Sequence, residues 1–296
     1  MKLSINVTNY SWPGGDAGLA SSLAHVASAA EAAGVDTVWV ADHLLQADPT
    51  SEVHEPMLEA YTTLGYLAAA TRRVRLGTMV SAASVRPAAL LVKAVTTLDV
   101  LSGGRAWLGI GAGYQADEAE SLGLPFPSTA ERFDRLEETI RLALQMWAGD
   151  ERPFRGRQLV LGRPISRPSP IGDRRPRLLI GGTGERRTIP LVARYADACN
   201  FFDIPDGGTT VRAKLDALRR ACDEAGRDAG EIEKTISTRL EAGESAAAFL
   251  ERAQTLADLG FEHLVLITTG PWTDRHLAAL AEATAGLSPP GAARGP

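Results

Sequence analysis

Cysteine is scarce: two residues in a chain of 296, Cys199 and Cys222, far too few for a disulfide framework. They form no CxxC pair, which excludes a thiol–disulfide motif of that type and a cysteine-based zinc site. Histidine is scarce as well, with five residues. No set of His, Cys, Asp or Glu falls at metal-ligand spacing, so no metal is expected. Positive charge is not in excess. A net charge of −5 and a pI of about 5.6 argue against nucleic acid or an anionic membrane surface as the main partner. Long apolar runs are lacking, so no membrane span is expected. Met1-Lys2-Leu3-Ser4-Ile5-Asn6 has none of the apolar stretch of a signal peptide, and the expectation is a soluble, cytoplasmic chain. A dinucleotide fingerprint is absent too. Gly109-Ile110-Gly111-Ala112-Gly113 runs into Tyr114, and no clear acidic ribose partner ends the next strand, so a Rossmann reading fails.

What is present is alternation. Eight short apolar runs read as strands: Leu3–Val7, Thr37–Ala41, Val74–Val80, Arg105–Ile110, Arg177–Ile180, Asp197–Phe202, Thr235–Leu240 and His263–Thr268. Between most of them lie stretches of helical period. Leu19, Leu23, Val26, Ala27 and Ala30 share one face, as do Phe133, Leu136, Ile140, Leu144 and Trp147. Ser128-Thr129-Ala130-Glu131 spells a capping box at the head of the second. Val211, Leu215, Leu218, Cys222 and Ala225 form a third stripe closed by Gly226, which makes Cys222 core filler rather than a nucleophile. Strand–helix repetition of this kind predicts a parallel sheet, and eight units over this length predict a closed (β/α)₈ TIM barrel. One αβ junction is used twice, as Glu31-Ala32-Ala33-Gly34-Val35-Asp36 and as Leu256-Ala257-Asp258-Leu259-Gly260-Phe261-Glu262. The expected organisation is a single α/β barrel domain over 1–286 and a disordered tail over 287–296. The proline-rich stretch 150–176 is expected as an insertion between strands four and five, lying over the barrel mouth.

A barrel of this kind carries its chemistry at the C-terminal ends of the strands. Strand two ends in Asp42-His43. An imidazole there can give or take a proton near neutral pH, although the same position suits a hydrogen-bonded structural histidine. His25, His54, His263 and His276 read as surface or helix residues, His54 in a loop on the same face as His43. Strand five ends in Gly181-Gly182-Thr183-Gly184-Glu185-Arg186-Arg187 and feeds a helix. Free N–H groups at a helix start, glycines and two arginines make a phosphate cradle; the other reading is a tight turn with exposed arginines. Strand three carries Gly77 mid-strand, a hint of a bulge or close approach. The glycines at 109, 111 and 113 suit a backbone passing close to a flat ligand.

Several phrases, in order, resemble the luciferase-like monooxygenase superfamily, in the branch that uses the deazaflavin coenzyme F420. They are Val74-Arg75-Leu76-Gly77-Thr78, Arg86-Pro87-Ala88, Leu101-Ser102-Gly103-Gly104-Arg105, Leu108-Gly109-Ile110-Gly111-Ala112-Gly113, Glu131-Arg132-Phe133 and Ile180-Gly181-Gly182. The resemblance spans roughly Leu3 to Leu280. It implies a TIM barrel with a non-proline cis peptide in a bulge on strand three, at Met79–Val80. It implies a cofactor site built from Asp42, Thr78, Met79, Val80, Gly111, Ala112, Gly113, Gly181, Gly182, Thr183, Gly184, Glu185, Arg186 and Asn200. His43 is then the catalytic residue, and Asp42 and His43 face the reactive part of the ring. Asp42-His43-Leu44 resembles the deazaflavin branch rather than the Glu-His-His of FMN-using luciferases. Tyr114 stands where some deazaflavin sugar-phosphate dehydrogenases carry a catalytic glutamate. This points away from sugar-phosphate oxidation, toward reduction of an activated C=C or C=N bond or an oxidation that needs no such glutamate. An FMN-dependent monooxygenase and a non-catalytic cofactor-binding protein are the alternatives. The expected partner is a small molecule or a modified peptide, its pocket shaped by 150–176 and by the loop Gln46–Glu55, with a homodimer among the assemblies the family forms.

Overall fold

Short β-branched runs, each bounded by a helix end or a glycine turn, become the strands of one sheet. The structure is a computed structural model and describes residues 1–172, 174–241 and 243–287. The chain runs β1 (Lys2–Val7), α1 (Gly15–Ala33), β2 (Thr37–Val40), α2 (Ala60–Ala70), β3 (Arg75–Thr78), β4 (Ser81–Ala82), α3 (Ala88–Ser102), β5 (Trp107–Gly111), α4 (Ala116–Ser121) and α5 (Thr129–Trp147). It continues β6 (Phe154–Arg155), β7 (Val160–Leu161), β8 (Arg177–Gly181), α6 (Thr188–Tyr195), β9 (Ala198–Phe202), α7 (Thr209–Ala225), β10 (Glu233–Arg239), α8 (Ala246–Asp258), β11 (His263–Ile267) and α9 (Asp274–Leu287). Nine strands pair in parallel in the order β3-β2-β1-β11-β10-β9-β8-β5-β4, and β6 and β7 form a separate antiparallel hairpin.

β3 and β4 are the two halves of one barrel strand. The Met79–Val80 peptide between them is cis, as the resemblance implies. The partner changes across it: Thr78 pairs with Val40 of β2, whereas Ser81 pairs with Ile110 of β5. Leu76 also bridges Ala106, its N–H donating to the Arg105 carbonyl at 2.9 Å. The sheet's two edges therefore meet, and nine strands fill the eight positions of a nearly closed barrel. Inside it, Trp39, Trp107, Leu179, Ala198 and Val265 form a small plug against Met79 and Val80. Gly77 is glycine because a Cβ there would lie 2.7 Å from Trp107 Cβ and 2.8 Å from the Trp39 ring. The larger core lies between the sheet and the surrounding helices, with Cys222 fully buried in it.

The twice-used junction is the same turn both times. Gly34 and Gly260 adopt φ of 93° and 99°, and the next residue's N–H reaches back to the helix, Val35 to Ala30 and Phe261 to Leu256. The capping box of Ser128 and Glu131 is formed.

Three placements differ from the sequence reading. The proline-rich 150–176 packs along outer helices. Arg157, Gln158 and Leu159 donate N–H groups to the buried Glu138 carboxylate of α5 at 2.6–2.9 Å, and Ile171 N–H donates to Asp99 of α3 at 2.9 Å. No described residue of this segment lines the cleft described below; the stretch 112–128, with α4 in it, overhangs that cleft instead. Second, His263 is not a surface residue. It is fully buried, with Nδ1 2.9 Å from Glu233 Oε1, and Glu233 also holds Lys2 at 3.0 Å and Arg177 at 2.7 Å. A strand's first residue looks exposed in sequence, but closing the barrel gathers Lys2, Arg177, Glu233 and His263 from neighbouring strands at its floor. Third, Leu287 is the last residue of α9 rather than the first of a tail, and 288–296 lie outside the described residues. No helix among the described residues is long and apolar enough to cross a membrane.

Candidate active site

The C-terminal ends of β2, β3, β5, β8 and β9 open into a cleft of about 500 Å³. Of the expected site residues, Asp42, His43, Met79, Val80, Gly111, Ala112, Gly113, Gly181, Gly182 and Asn200 line it. Thr78 does not. It is fully buried behind the wall, bonding the Gly109 carbonyl at 2.9 Å and Ser81 Oγ at 3.0 Å. Thr183, Gly184, Glu185 and Arg186 lie beyond the lining, in a turn that precedes α6. Glu185 points to Lys214, 2.7 Å away, and Arg186 is exposed. α6 begins only at Thr188, whose side chain does line the cleft. The loop Gln46–Glu55 also stays out of the lining. Asp48 ties it to Asn9 at 3.1 Å and to the Gly270 N–H at 3.3 Å, over the ends of β1 and β11.

The glycines at 109 and 181 act first on the protein itself. A Cβ at Gly109 would overlap the Thr78 carbonyl oxygen, and one at Gly181 would lie 2.8 Å from Val80 Cγ2. They let the break between β3 and β4 press against β5 and β8, so that Met79 and Val80 reach the cleft. The resulting wall of Val80, Gly111, Ala112, Gly181 and Gly182 carries no long side chain. At its base Asn200 is fixed by Thr235 Oγ1 at 2.8 Å and by Ser237 Oγ at 3.0 Å.

Asp42 and His43 follow each other in sequence and do different work, because adjacent side chains leave a strand end on opposite sides. The Asp42 carboxylate accepts from Arg86 Nε at 2.9 Å and Nη2 at 2.6 Å, and from the Ser81 hydroxyl. Arg86 Nη2 also reaches Glu59 at 2.6 Å, and its guanidinium lies 4.8 Å from the centre of the Tyr61 ring. Burial works against ionisation of Glu59, but N–H and hydroxyl bonds from Thr62, the Arg86 bond and the Tyr61 N–H hold its carboxyl down to about 2. Burial and the Asp42 charge push the Tyr61 phenol upward. Asp42 is thus the anchor of an ion-pair network and does not act on His43.

The partner of His43 is Glu118, which the sequence reading missed. Its Oε2 lies 3.1 Å from His43 Nδ1, and its Oε1 accepts the N–H groups of Leu44 at 2.6 Å and Leu45 at 2.9 Å. Burial opposes ionisation of Glu118, yet the His43 bond and the two N–H bonds hold its carboxyl below the ordinary range. A carboxylate can only accept, so Nδ1 carries a hydrogen and Nε2 is the ring nitrogen left to take up or give a proton. Nε2 lies 3.5 Å from the Tyr114 hydroxyl, and the two rings meet edge to face at 5.9 Å. The signal for Glu118 was an acid one helical turn beyond Tyr114. Only the fold shows that α4 swings back over the end of β2. The group is a histidine oriented by a carboxylate, its Nε2 turned toward the Tyr114 hydroxyl, at the edge of an apolar cleft with one flat wall. It can move one proton to or from a bound molecule.

The sequence model of the luciferase-like monooxygenase family matches residues 1–290. The F420-dependent glucose-6-phosphate dehydrogenase of Kineococcus radiotolerans is 35% identical over 248 residues, 80% of this chain and 68% of its own. The phthiodiolone/phenolphthiodiolone dimycocerosates ketoreductase of Mycobacterium sp. (strain JLS) is 33% identical over 215 residues, 66% of this chain and 54% of its own. Among solved structures, an F420-dependent secondary alcohol dehydrogenase holding an F420-acetone adduct superposes with a TM-score of 0.81 at 18% identity, over 95% of this chain and 97% of that one. The coenzyme F420-dependent tetrahydromethanopterin reductase of Methanopyrus kandleri gives 0.77 at 15% identity, over 96% and 97%. At such identities the superpositions speak to the fold alone.

Proposed function

The chain belongs to the luciferase-like monooxygenase family, and on that footing we propose that it is an F420-dependent oxidoreductase exchanging hydride with a small organic substrate in the cleft. The observation that carries this reading is His43 with Glu118 behind it, at the edge of a cleft with one flat, side-chain-poor wall. That wall fits a planar ring system. Val80, Gly111, Ala112, Gly181 and Gly182 offer backbone and small side chains for a ring to lie on. The turn Gly181–Arg186 would hold the phosphate of the cofactor tail, with Arg186 exposed and free to turn toward it. When bound, the deazaflavin supplies or takes up the hydride.

The chain's own residues supply the proton and the setting. Hydride leaving or reaching a carbon shifts charge onto a neighbouring heteroatom or carbon, and a proton must move with it. His43 Nε2 takes that proton in the oxidising direction and returns it in the reducing direction, with Glu118 stabilising the charged imidazole. Glu118 also fixes Leu44 and Leu45, so the loop that carries His43 does not wander. Tyr114, Leu124 and Phe126 from the overhanging stretch line the outer side of the cleft and reduce the access of water. Reduction of a polarised double bond is the favoured direction, since Tyr114 rather than a carboxylate follows the glycines of β5.

Titrating the purified protein with oxidised F420 and, in parallel, with FMN tests the cofactor reading. Saturable quenching of F420 fluorescence with no comparable effect on FMN is expected. Tight binding of FMN alone would overturn the reading and make an FMN-dependent monooxygenase the leading one.

A further inference from the structure

Around the opening of the cleft stand large apolar side chains that a solvent-facing surface has no need of. Leu44, Leu90, Tyr114 and Phe202 line it and are 37%, 61%, 73% and 58% exposed. Leu124 and Phe126 continue the same lining inward. They come from the ends of β2 and β9, the first turn of α3 and the stretch after β5, so four separate parts of the chain converge on one rim. Scattered exposed leucines are ordinary, but a contiguous apolar rim on a cleft marks what the cleft receives.

Charge points the same way. Among the described lining residues, Arg86 is the only arginine or lysine. Its guanidinium is already committed to Asp42 at 2.6 and 2.9 Å and to Glu59 at 2.6 Å. Glu118 adds another carboxylate on the His43 side, bonded within the protein. Asp42 and Glu118 of the lining, with Glu59 behind it, thus stand against one guanidinium, and no ammonium or guanidinium among the described lining residues is left for a phosphate dianion. An anion buried without a partner is strongly disfavoured. Arg186 lies beyond the lining, at the turn assigned above to the cofactor phosphate.

We infer that the substrate is an uncharged, predominantly apolar carbonyl compound, and that this chain does not act on a phosphorylated sugar. The inference rests on the oxidoreductase reading above and narrows it. In the reducing direction, hydride from the reduced deazaflavin forms a C–H bond at the carbonyl carbon. The C=O π pair moves to oxygen, which takes the proton from His43 Nε2, and an alcohol results. Two electrons and two hydrogens are added to the carbonyl compound, and the deazaflavin is oxidised by the same two electrons. The apolar rim holds the rest of the molecule, so affinity comes from burial and not from ion pairing.

The test uses 6-propionyl-2-dimethylaminonaphthalene, a neutral aryl ketone whose emission shifts to the blue in apolar surroundings, with the purified protein. A saturable blue shift is expected. Leu90→Ser and Phe202→Ser, both at exposed rim positions outside the core, are each expected to weaken binding about tenfold, the effect of losing most of one buried side chain. Millimolar glucose-6-phosphate is expected neither to displace the probe nor to reduce F420 in the presence of enzyme. Displacement of the probe by glucose-6-phosphate, F420 reduction with that sugar, or unaltered probe binding in both variants would each overturn the inference. Rim-dependent ketone binding in a protein that fails to bind F420 would sink the oxidoreductase reading instead. F420 binding with glucose-6-phosphate turnover would leave that reading standing and remove this one.

Discussion

His43 and Glu118 act as one unit, and single substitutions should separate their parts. His43→Ala removes the only imidazole among the described lining residues and is expected to lower kcat roughly 10²- to 10⁴-fold, the usual worth of a positioned acid–base group. The Kd for F420 should change little, since the flat wall is untouched; full turnover in this variant would remove His43 from the mechanism. Glu118→Gln keeps an oxygen for the Leu44 and Leu45 N–H groups but turns its NH2 toward Nδ1, so the bond that holds the Nδ1 hydrogen is lost and the imidazole is pushed to the other tautomer. Loss of that charge-assisted bond, worth about 1.5–3 kcal/mol, predicts a fall of roughly 10- to 100-fold in kcat. KM and F420 binding should stay near wild type, and an equal loss in binding would make Glu118 a structural residue only. Asp42 was legible as a site residue because it ends a strand, but its task was not. Which neighbour a carboxylate faces depends on Arg86, 44 positions away in sequence.

At the scale of elements, the decisive feature is how β3, β4, β5 and β8 fit together around Met79–Val80. The glycines of Leu108–Gly113 were read as a close approach to a flat ligand, and Gly181 and Gly182 as part of a phosphate cradle. The structure shows that Gly109 and Gly181 first make room for the neighbouring strand, and that the ligand wall is what this packing leaves. Gly109→Ala should therefore destabilise the fold itself. The added methyl meets the Thr78 backbone, which cannot rotate away as a side chain would, and a loss of about 1–3 kcal/mol or more is expected. Urea unfolding checks this, and an unchanged midpoint would show that β5 can shift. The stretch 112–128 takes the place over the cleft that was expected of the proline-rich 150–176. Both lie between β5 and β8, and proline content separates loop from helix without saying which loop turns inward. The carboxylate of Glu138 draws 157–159 onto α5 through three N–H groups, a pull that sequence pattern does not display.

For the whole molecule, the carboxylates held by internal hydrogen bonds and ion pairs set the response to acid. Glu59 falls from an ordinary 4.5 to about 2 in the fold, and Glu118 and Glu233 move in the same direction. A depressed folded-state value means that the unfolded chain takes up protons first. The stability these groups add is present above 4.5 and is lost as the pH falls from there toward about 2. Thermal melts across this range should show a falling midpoint, and Glu59→Gln should flatten that fall. An identical slope in the variant would show that other groups govern it. Glu233 bears on the opposite end of the barrel from the cleft, where it gathers Lys2, Arg177 and His263, so acid should loosen the floor as well as the site.

The sequence by itself determined the barrel. The spacing of apolar residues along each segment fixes its type, and the alternation of types fixes a parallel sheet, because local period and burial are properties of a short stretch. It also determined which strand ends carry polar or glycine residues, and hence His43, Asn200 and the glycine walls. The tertiary structure alone decided that Glu118 rather than Asp42 serves His43, that Arg86 is spent on two carboxylates, and that the mouth is rimmed by Leu44, Leu90, Tyr114 and Phe202. Those are meetings of side chains distant in the chain, and each is settled only when the barrel closes and brings its strand ends around one axis.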